Sequence, residues 1–375
     1  MEINPFYLTN VIPDAFFCDR TEETGKMIKA IKNQENVVLT AQRRVGKTGL
    51  INHCFANENI RKDYLTISID ILHTSSLCEF VQELGNATFK SIAKKSARLS
   101  KKFAAALKSL TASFGYDSLT GGPTFDVKLG EISQPSFTLD EILEYLESAG
   151  KPVVVAIDEF QQICYYQEKN VEELLRGKIQ KLQNTHFIFS GSSRRLMSRM
   201  FFSAKHAFYQ SATPIELDII DREAYILFSV DKFKDSGRLI DRDAVEYAYD
   251  RFRGITLHTH RVLHDAFAST ENNGICKLKD MICISDTYIE ESGTRIKEIV
   301  RSVSPGQKEL LYAICNEGNA TGITSAAFIK KHCLKSASAV QSAAKCLLAA
   351  DMISKVGNTY SISDQLIEIW LKEKL

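Results

Sequence analysis

The stretch Val37 to Leu50, VVLTAQRRVGKTGL, restricts the folds open to this chain more than any other. Val37, Val38, Leu39 and Thr40 form a short run rich in β-branched residues and predict a buried strand. The run gives way to a loop ending Gly46-Lys47-Thr48, and a helical pattern starts at Leu50 and Ile51. Strand, loop and helix in that order suit phosphate, because consecutive loop amides and a helix N-terminus converge on one anion. Gly46 lets the backbone approach closely, Lys47 offers a cation to the β and γ phosphates, and the Thr48 hydroxyl can hold Mg²⁺. Such loops usually open with glycine; here that place is Ala41, tolerable where φ stays negative. Ala41, Arg44, Val45, Gly46, Lys47, Thr48 and Gly49 are therefore the expected nucleotide-binding residues of the loop, with Arg43 and Arg44 bracing it rather than touching the γ-phosphate. The competing reading is an ordinary Gly-Lys-Thr turn after a strand.

At 375 residues the chain exceeds one compact core, and two or three domains are expected. Lys plus Arg at 47 against Asp plus Glu at 46 leaves a formal charge of +1, so any nucleic-acid contact must come from a local patch. The 9 cysteines are scattered without a Cys-x-x-Cys pair, which fits neither a zinc site nor a disulfide framework and predicts reduced, cytoplasmic thiols. No apolar run approaches ~18 residues, and no basic segment precedes an apolar one, so neither membrane span nor signal peptide is expected.

Asn4 to Arg20, with Pro5, Pro13, Phe6, Tyr7, Phe16 and Phe17, predicts an extended segment lying on the core, and Thr21 to Asn33 a helix. After the phosphate loop a helix runs to about Ala56, and Tyr64 to Ile71 alternates as a strand ending near Asp70. Ser76 to Leu110 is helical in pattern and basic in its second half, with Lys90, Lys94, Lys95, Arg98, Lys101, Lys102 and Lys108; this is either a solvated face or a surface for nucleic acid or an acidic partner. Glycine-rich Thr111 to Gln134 predicts an inserted loop or weak hairpin. Thr138 with Glu141 predicts a capping box opening a helix to Ala149. Val153 to Ile157, VVVAI, is an unbroken apolar run closed by Asp158 and Glu159, as in a strand covered on both faces. A helix over Val171 to Gln183 and a strand at Phe187 to Phe189, running into Ser190-Gly191-Ser192-Ser193, complete a doubly wound α/β pattern.

Past Pro214 the strands are expected to give way to helices at Arg222 to Asp235, Asp241 to Phe252, Leu257 to Thr270 and Ser285 to Val303. Pro305 and Gly306 mark a further boundary. Helices near Lys308 to Asn316, Ser325 to His332 and Ser336 to Ala350 then precede Ile353 to Val356 and Thr359 to Ile362, two short runs around a Gly357-Asn358 turn. With a closing helix from Asp364 to Leu375 this is a winged helix-turn-helix. The expected division is 1–214 for the phosphate-loop core, 215–303 for a helical domain and 304–375 for the winged helix.

Phosphoryl transfer is mostly positioning and charge neutralisation, so the loop needs a second anchor for Mg²⁺ and a group to activate water. Asp158 and Glu159, at the C-terminal end of a buried strand neighbouring the loop, answer both needs: Asp158 for the metal and Glu159 as general base. Ser190 and Ser192 could touch the γ-phosphate, or could be a simple Ser-Gly turn. Arg194 and Arg195 could neutralise transferred charge in cis or from a neighbouring subunit, or lie at the surface. His260 and His264 have the spacing of a zinc pair, but Arg261 stands where a metalloprotease glutamate would be and no third ligand suggests itself.

The order of Phe17 to Arg20, QRRVGKT, VVVAIDEFQ, FIFSGSS, helices and winged helix resembles the prokaryotic STAND ATPases, specifically their archaeal-type branch, which are relatives of AAA+ proteins. The resemblance implies a P-loop core with helical lid and winged helix. It also implies that Lys47 and Thr48 bind phosphate and Mg²⁺, that Asp158 and Glu159 are the Walker B pair, that Ser192 is at the sensor position, and that Phe17 to Arg20 border the adenine. Two departures stand out: Tyr209 is followed by Gln210-Ser211 rather than Gly-Arg, and the lid reads Gly254-Ile255-Thr256 rather than Gly-x-Pro. The leading expectation is a slow, Mg²⁺-dependent ATPase that works as a nucleotide-driven switch, binding ATP or ADP and meeting a protein partner or a second copy through lid and winged helix. The alternatives are a DNA-binding regulator, whose recognition helix offers only Gln341 and Lys345 besides Lys335, and a scaffold that retains nucleotide without turnover.

Overall fold

The computed structural model describes residues 3–9, 11–93, 97–109, 113–116, 123–126 and 132–374. Two compact units share the chain, one within 10–218 and the other made of the N-terminal 3–9 with 219–374.

The first unit opens with a 3₁₀ turn, Asp14–Phe16, and helix α1, Thr21–Lys32. Strand β1, Val37–Ala41, leads through residues 42–46 into α2, Lys47–Ala56, followed by α3, Glu58–Asp63, and β2, Leu65–Asp70. Next come α4, Leu77–Ala93, α5, Ala97–Ala106, and an antiparallel pair, β3, Ser113–Tyr116, with β4, Pro123–Asp126. Helix α6, Pro135–Glu147, precedes β5, Val153–Asp158; a second 3₁₀ turn, Phe160–Tyr165, and α7, Val171–Ile179, lead to β6, Thr185–Gly191. Helix α8, Arg194–Phe202, and β7, Thr213–Leu217, finish the unit.

The sheet runs β2-β5-β6-β1-β7 with every pairing parallel. Central β1, β5 and β6 are buried at every residue, which is why their middles carry apolar runs, Val37 to Leu39, Val153 to Ile157 and Phe187 to Phe189, rather than alternation. Edge strand β2 buries only Leu65, Ile67 and Ile69, the alternation visible in its sequence. The acid-bearing strand β5 is not the immediate neighbour of β1, contrary to expectation; β6 lies between them. Strand β7 was not anticipated, because Pro214 argues against a ladder. It pairs on one side only, and an edge position tolerates a residue with no N–H to donate.

One further expectation is corrected here. Thr138 and Glu141 do not cap α6, which starts one turn earlier with Pro135 in the first turn, where a missing N–H costs nothing. Buried Glu141 instead accepts the backbone amides of Lys108 and Ser109 at 3.0 and 3.1 Å, tying the end of α5 to α6. The stretch Thr111 to Gln134 contains the β3–β4 pair, while its Gly121, Gly122 and Gly130 lie outside the described residues, as do Lys94 and Lys95 of the basic stretch. The described cations there, Lys90, Arg98, Lys101, Lys102 and Lys108, are exposed, and Phe103 and Leu107 face inward.

The second unit contains α9, Arg222–Asp235, β8, Leu239–Ile240, α10, Arg242–Arg251, α11, Thr256–Ser269, β9, Ile275–Cys276, and the long α12, Leu278–Arg301. The parallel β8–β9 pair interrupts the expected run of helices. Residues 3–9 belong here rather than to the sheet unit: Phe6 is fully buried among Phe228, Phe233, His260 and Phe267. Pro305, just past the end of α12, occupies the first turn of α13, Pro305–Glu317, behind a Ser304 and Gln307 capping box. Then follow β10, Ala320–Thr321, α14, Ala326–Lys331, α15, Ala337–Ala349, β11, Ile353–Val356, β12, Thr359–Ile362, and α16, Gln365–Lys374. The three strands form a sheet in the order β10-β12-β11, with Gly357 at φ +59° in the turn of the wing. Among the described residues no helix is long and apolar enough to cross a membrane.

Candidate functional site

Residues from three strand ends gather in the sheet unit. The loop after β1 is shaped by Arg44 at φ +66° and Gly46 at φ +100°, and helix α2 starts directly at Lys47. At Gly46 a side chain would be strained by the backbone angle alone. Ala41 is the last, buried residue of β1, and Val45 is buried within the loop. Arg20, itself buried with φ +68°, braces that loop: one guanidinium nitrogen donates to the Val45 carbonyl at 3.3 Å while another pairs with Glu23 at 2.9 Å. Phe17 stacks flat on His53 of α2, with ring centroids 3.9 Å apart, and a Cβ added at Gly49 would stand 4.0 Å from its ring.

Lys47 is 7% exposed, and that burial pushes its ammonium below the ordinary lysine value. Glu159 and then Asp158 oppose the shift, while Arg43 and Arg194 add to it. Thr48 Oγ1 donates to Asp158 Oδ2 at 2.5 Å, so the first turn of α2 and the end of β5 meet through hard oxygen atoms. Asp70, directly across from Asp158 in the β2–β5 register, has its carboxyl raised chiefly by burial and further by Asp158 and Glu159. The Leu72 amide opposes that shift.

Glu159 occupies the left-handed region at φ +55°. Flanking residues hold it there: Asp158 closes β5, and fully buried Phe160 packs on Phe189, Phe201 and Phe208. Strain at such a position persists only where the surroundings determine it. Its Oε2 accepts two neutral donors, Ser192 Oγ at 2.7 Å and Gln161 Nε2 at 2.5 Å. Since β6 lies between β1 and β5, Ser192, just past the end of β6, is carried to the acid pair.

The other expected residues fall elsewhere. Ser190 is fully buried within β6, and its hydroxyl has no hydrogen-bond partner among the described residues. Arg194 opens α8 and pairs with Glu216 and Asp218, both at 3.3 Å, and Arg195 is exposed. The histidines of α11 face separate partners: His258 meets the Tyr288 hydroxyl, His260 that of Tyr225, and His264 the Asp265 carboxylate. Sequence reasoning missed Gln161 and Asp70. The strand register would have been needed to place Asp70, and Gln161 stands at the end of the quoted VVVAIDEFQ stretch without a role assigned to it.

Comparison with known proteins bears on this geometry. No curated protein matches the chain significantly. A Walker-type ATPase of Pyrococcus abyssi superposes with a TM-score of 0.69 at 19% identity, covering 98% of this chain and 99% of that one. The ORC2 protein of Aeropyrum pernix, solved in ADPNP–ADP complexes, gives 0.61 at 11% identity over 99% and 98% of the two chains. These likenesses establish a shared fold. Residues 295–373 match the model of a probable winged helix domain. Residues 17–258 match the model described as an ATPase domain predominantly from Archaea, and this chain belongs to that family.

Proposed function

We propose that this archaeal-type ATPase binds ATP with Mg²⁺, hydrolyses it slowly, and uses its nucleotide state as a conformational switch. The observation that carries the reading is the junction of Thr48 with Asp158 at 2.5 Å beside a buried Lys47, with Glu159 at the same strand end. The donor set fits Mg²⁺: a hydroxyl and a carboxylate oxygen are hard ligands of the kind this ion takes when phosphates supply others. When bound, Mg²⁺ would neutralise charge on the phosphate oxygens. Lys47 would place its ammonium on the β and γ phosphates, exchanging the two carboxylates for a better anion. Glu159 would take a proton from the attacking water, and Ser192 would hold its carboxylate. Phe17 and His53 would border the base, and Arg20 would keep the loop in shape from behind. Arg194 would tune the charge felt by Lys47.

Three functional segments follow from this reading: the core over 1–214, a lid over 215–303 and the winged helix over 304–375. The lid and winged helix would respond to nucleotide and meet a protein partner or a second copy. Phosphate release and nucleotide binding test the proposal in wild type, Lys47→Ala and Glu159→Gln. Loss of binding in the first variant and loss of turnover alone in the second are expected; equal activity in all three would refute it. The winged helix favours a second reading, DNA binding, in which Lys335→Glu with Lys345→Glu would weaken a salt-dependent affinity.

A further inference from the structure

We propose that Gln161 is a positioning residue for ATP hydrolysis, pinning one oxygen of the Glu159 carboxylate so that the other faces the attacking water. This inference rests on the proposed ATPase reading and gives a role to a residue that the quoted VVVAIDEFQ stretch contains but to which the sequence reading assigned none.

The argument starts from how Gln161 is held. It is 6% exposed, and its Nε2 donates to Glu159 Oε2 at 2.5 Å. Its own Oε1 is buried and has no hydrogen-bond partner among the described residues. An amide carbonyl enclosed without a donor costs free energy, so packing economy alone does not explain a glutamine there. A methionine would fill similar space without leaving a polar atom unmet.

The backbone opposite is shaped to the same side chain. A Cβ added to Gly191 would stand 2.3 Å from Gln161 Oε1, and 2.6 Å from Met197 Sδ. Only glycine at the end of β6 leaves room for this amide. The residue after Gly191 is Ser192, the second donor to the same oxygen, Oε2. One strand end therefore makes space for one donor and supplies the other. Both hydrogen bonds fall on Oε2, which distinguishes the two carboxylate oxygens and assigns the role of proton acceptor to Oε1.

The chain between Glu159 and Gln161 allows little slack. Glu159 sits at φ +55° and Phe160 is locked in an aromatic cluster, so the reach from Gln161 back to Glu159 spans a rigid turn. Holding a general base to within a fraction of an ångström is worth a large factor in rate, and it leaves substrate binding unaltered.

The experiment compares steady-state phosphate release and equilibrium ATP binding for wild type, Gln161→Met, Glu159→Gln and the double variant. Gln161→Met is expected to lower kcat by roughly 10- to 100-fold with ATP affinity within about twofold of wild type. In the Glu159→Gln background the same change is expected to have no further effect, because Gln161 acts through Glu159. Gly191→Ala, checked for an unchanged fold by circular dichroism, should reproduce the Gln161→Met rate by displacing the amide. A Gln161→Met protein with wild-type kcat, or one whose loss adds fully to that of Glu159→Gln, would overturn the proposal while leaving the ATPase reading intact. Equal turnover in wild type and Glu159→Gln would overturn both.

Discussion

Two carboxylates, one in each unit, are satisfied in opposite ways. Glu368 on α16 is 1% exposed, and its two oxygens are taken by cations: Arg253 donates to both, at 3.0 and 2.9 Å, and Lys372 adds a third bond at 2.6 Å. Among the described residues Glu159 receives only neutral donors, both on one oxygen, and the lysine that feels its charge, Lys47, is itself buried and depressed. A carboxylate cancelled by fixed cations is immobilised and chemically idle; it joins the end of α10 to the closing helix of the winged domain. A carboxylate steadied by neutral groups keeps its negative charge and an available oxygen. On the proposed reading, the difference separates a carboxylate that serves structure from one available for proton transfer.

The largest effect should come from inverting the contrast. Glu159→Gln is expected to lower turnover by about 10²- to 10⁴-fold while the thermal midpoint stays within a degree or so of wild type, measured by phosphate release and calorimetry. Glu368→Gln should do the reverse, lowering the midpoint and sparing turnover per folded molecule.

A neutral buried base in the second unit sharpens the comparison. Burial, with a smaller contribution from His264, pulls His260 down to about 4 from its ordinary 6.5, and the ring shares a 2.5 Å hydrogen bond with the Tyr225 hydroxyl. Between those two values the unfolded chain binds a proton that the folded chain refuses. The stability is thus complete above pH 6.5 and is lost as pH falls toward 4, by roughly 3 kcal/mol. Urea unfolding across that window should show the slope, and His260→Gln should flatten it.

Arg253→Ala should be next in size. It leaves Glu368 with Lys372 alone, and since the guanidinium is 56% exposed the expected loss is about 1–2 kcal/mol rather than the full cost of orphaning a buried charge. Arg194→Ala should be smallest: pairs with exposed Glu216 and Asp218 are worth less than about 1 kcal/mol, and turnover should fall by no more than about tenfold if the residue only tunes Lys47.

What the sequence disclosed follows the physics of each element. Strands β1, β5 and β6 were legible because covered strands must be continuously apolar, and the winged helix because Gly357-Asn358 can turn a hairpin in few ways. The loop residues and the acid pair were legible because phosphate and metal chemistry demand particular side chains in particular order. Strand β7 was hidden by Pro214, whose cost depends on being at an edge, and edge status is a property of the whole sheet. The start of α6 was misplaced because Thr138 and Glu141 mimic a cap while their polar atoms serve Ser109 and the end of α5. The interposition of β6 between the loop strand and the acid strand was invisible because strand order is encoded by no local pattern, whereas Gln161 was in view beside Glu159 and only the folded turn shows its amide on that carboxylate. Phe6 reads as one more aromatic of an N-terminal arm, and only the tertiary fold shows which core receives it.

Calorimetric titration of ATP into the full chain, with and without Mg²⁺, tests the central claim most directly. Tight binding that weakens markedly without the metal, and that Lys47→Ala and Asp158→Ala each diminish, is the predicted result. Binding that ignores Mg²⁺ and survives both substitutions would contradict it.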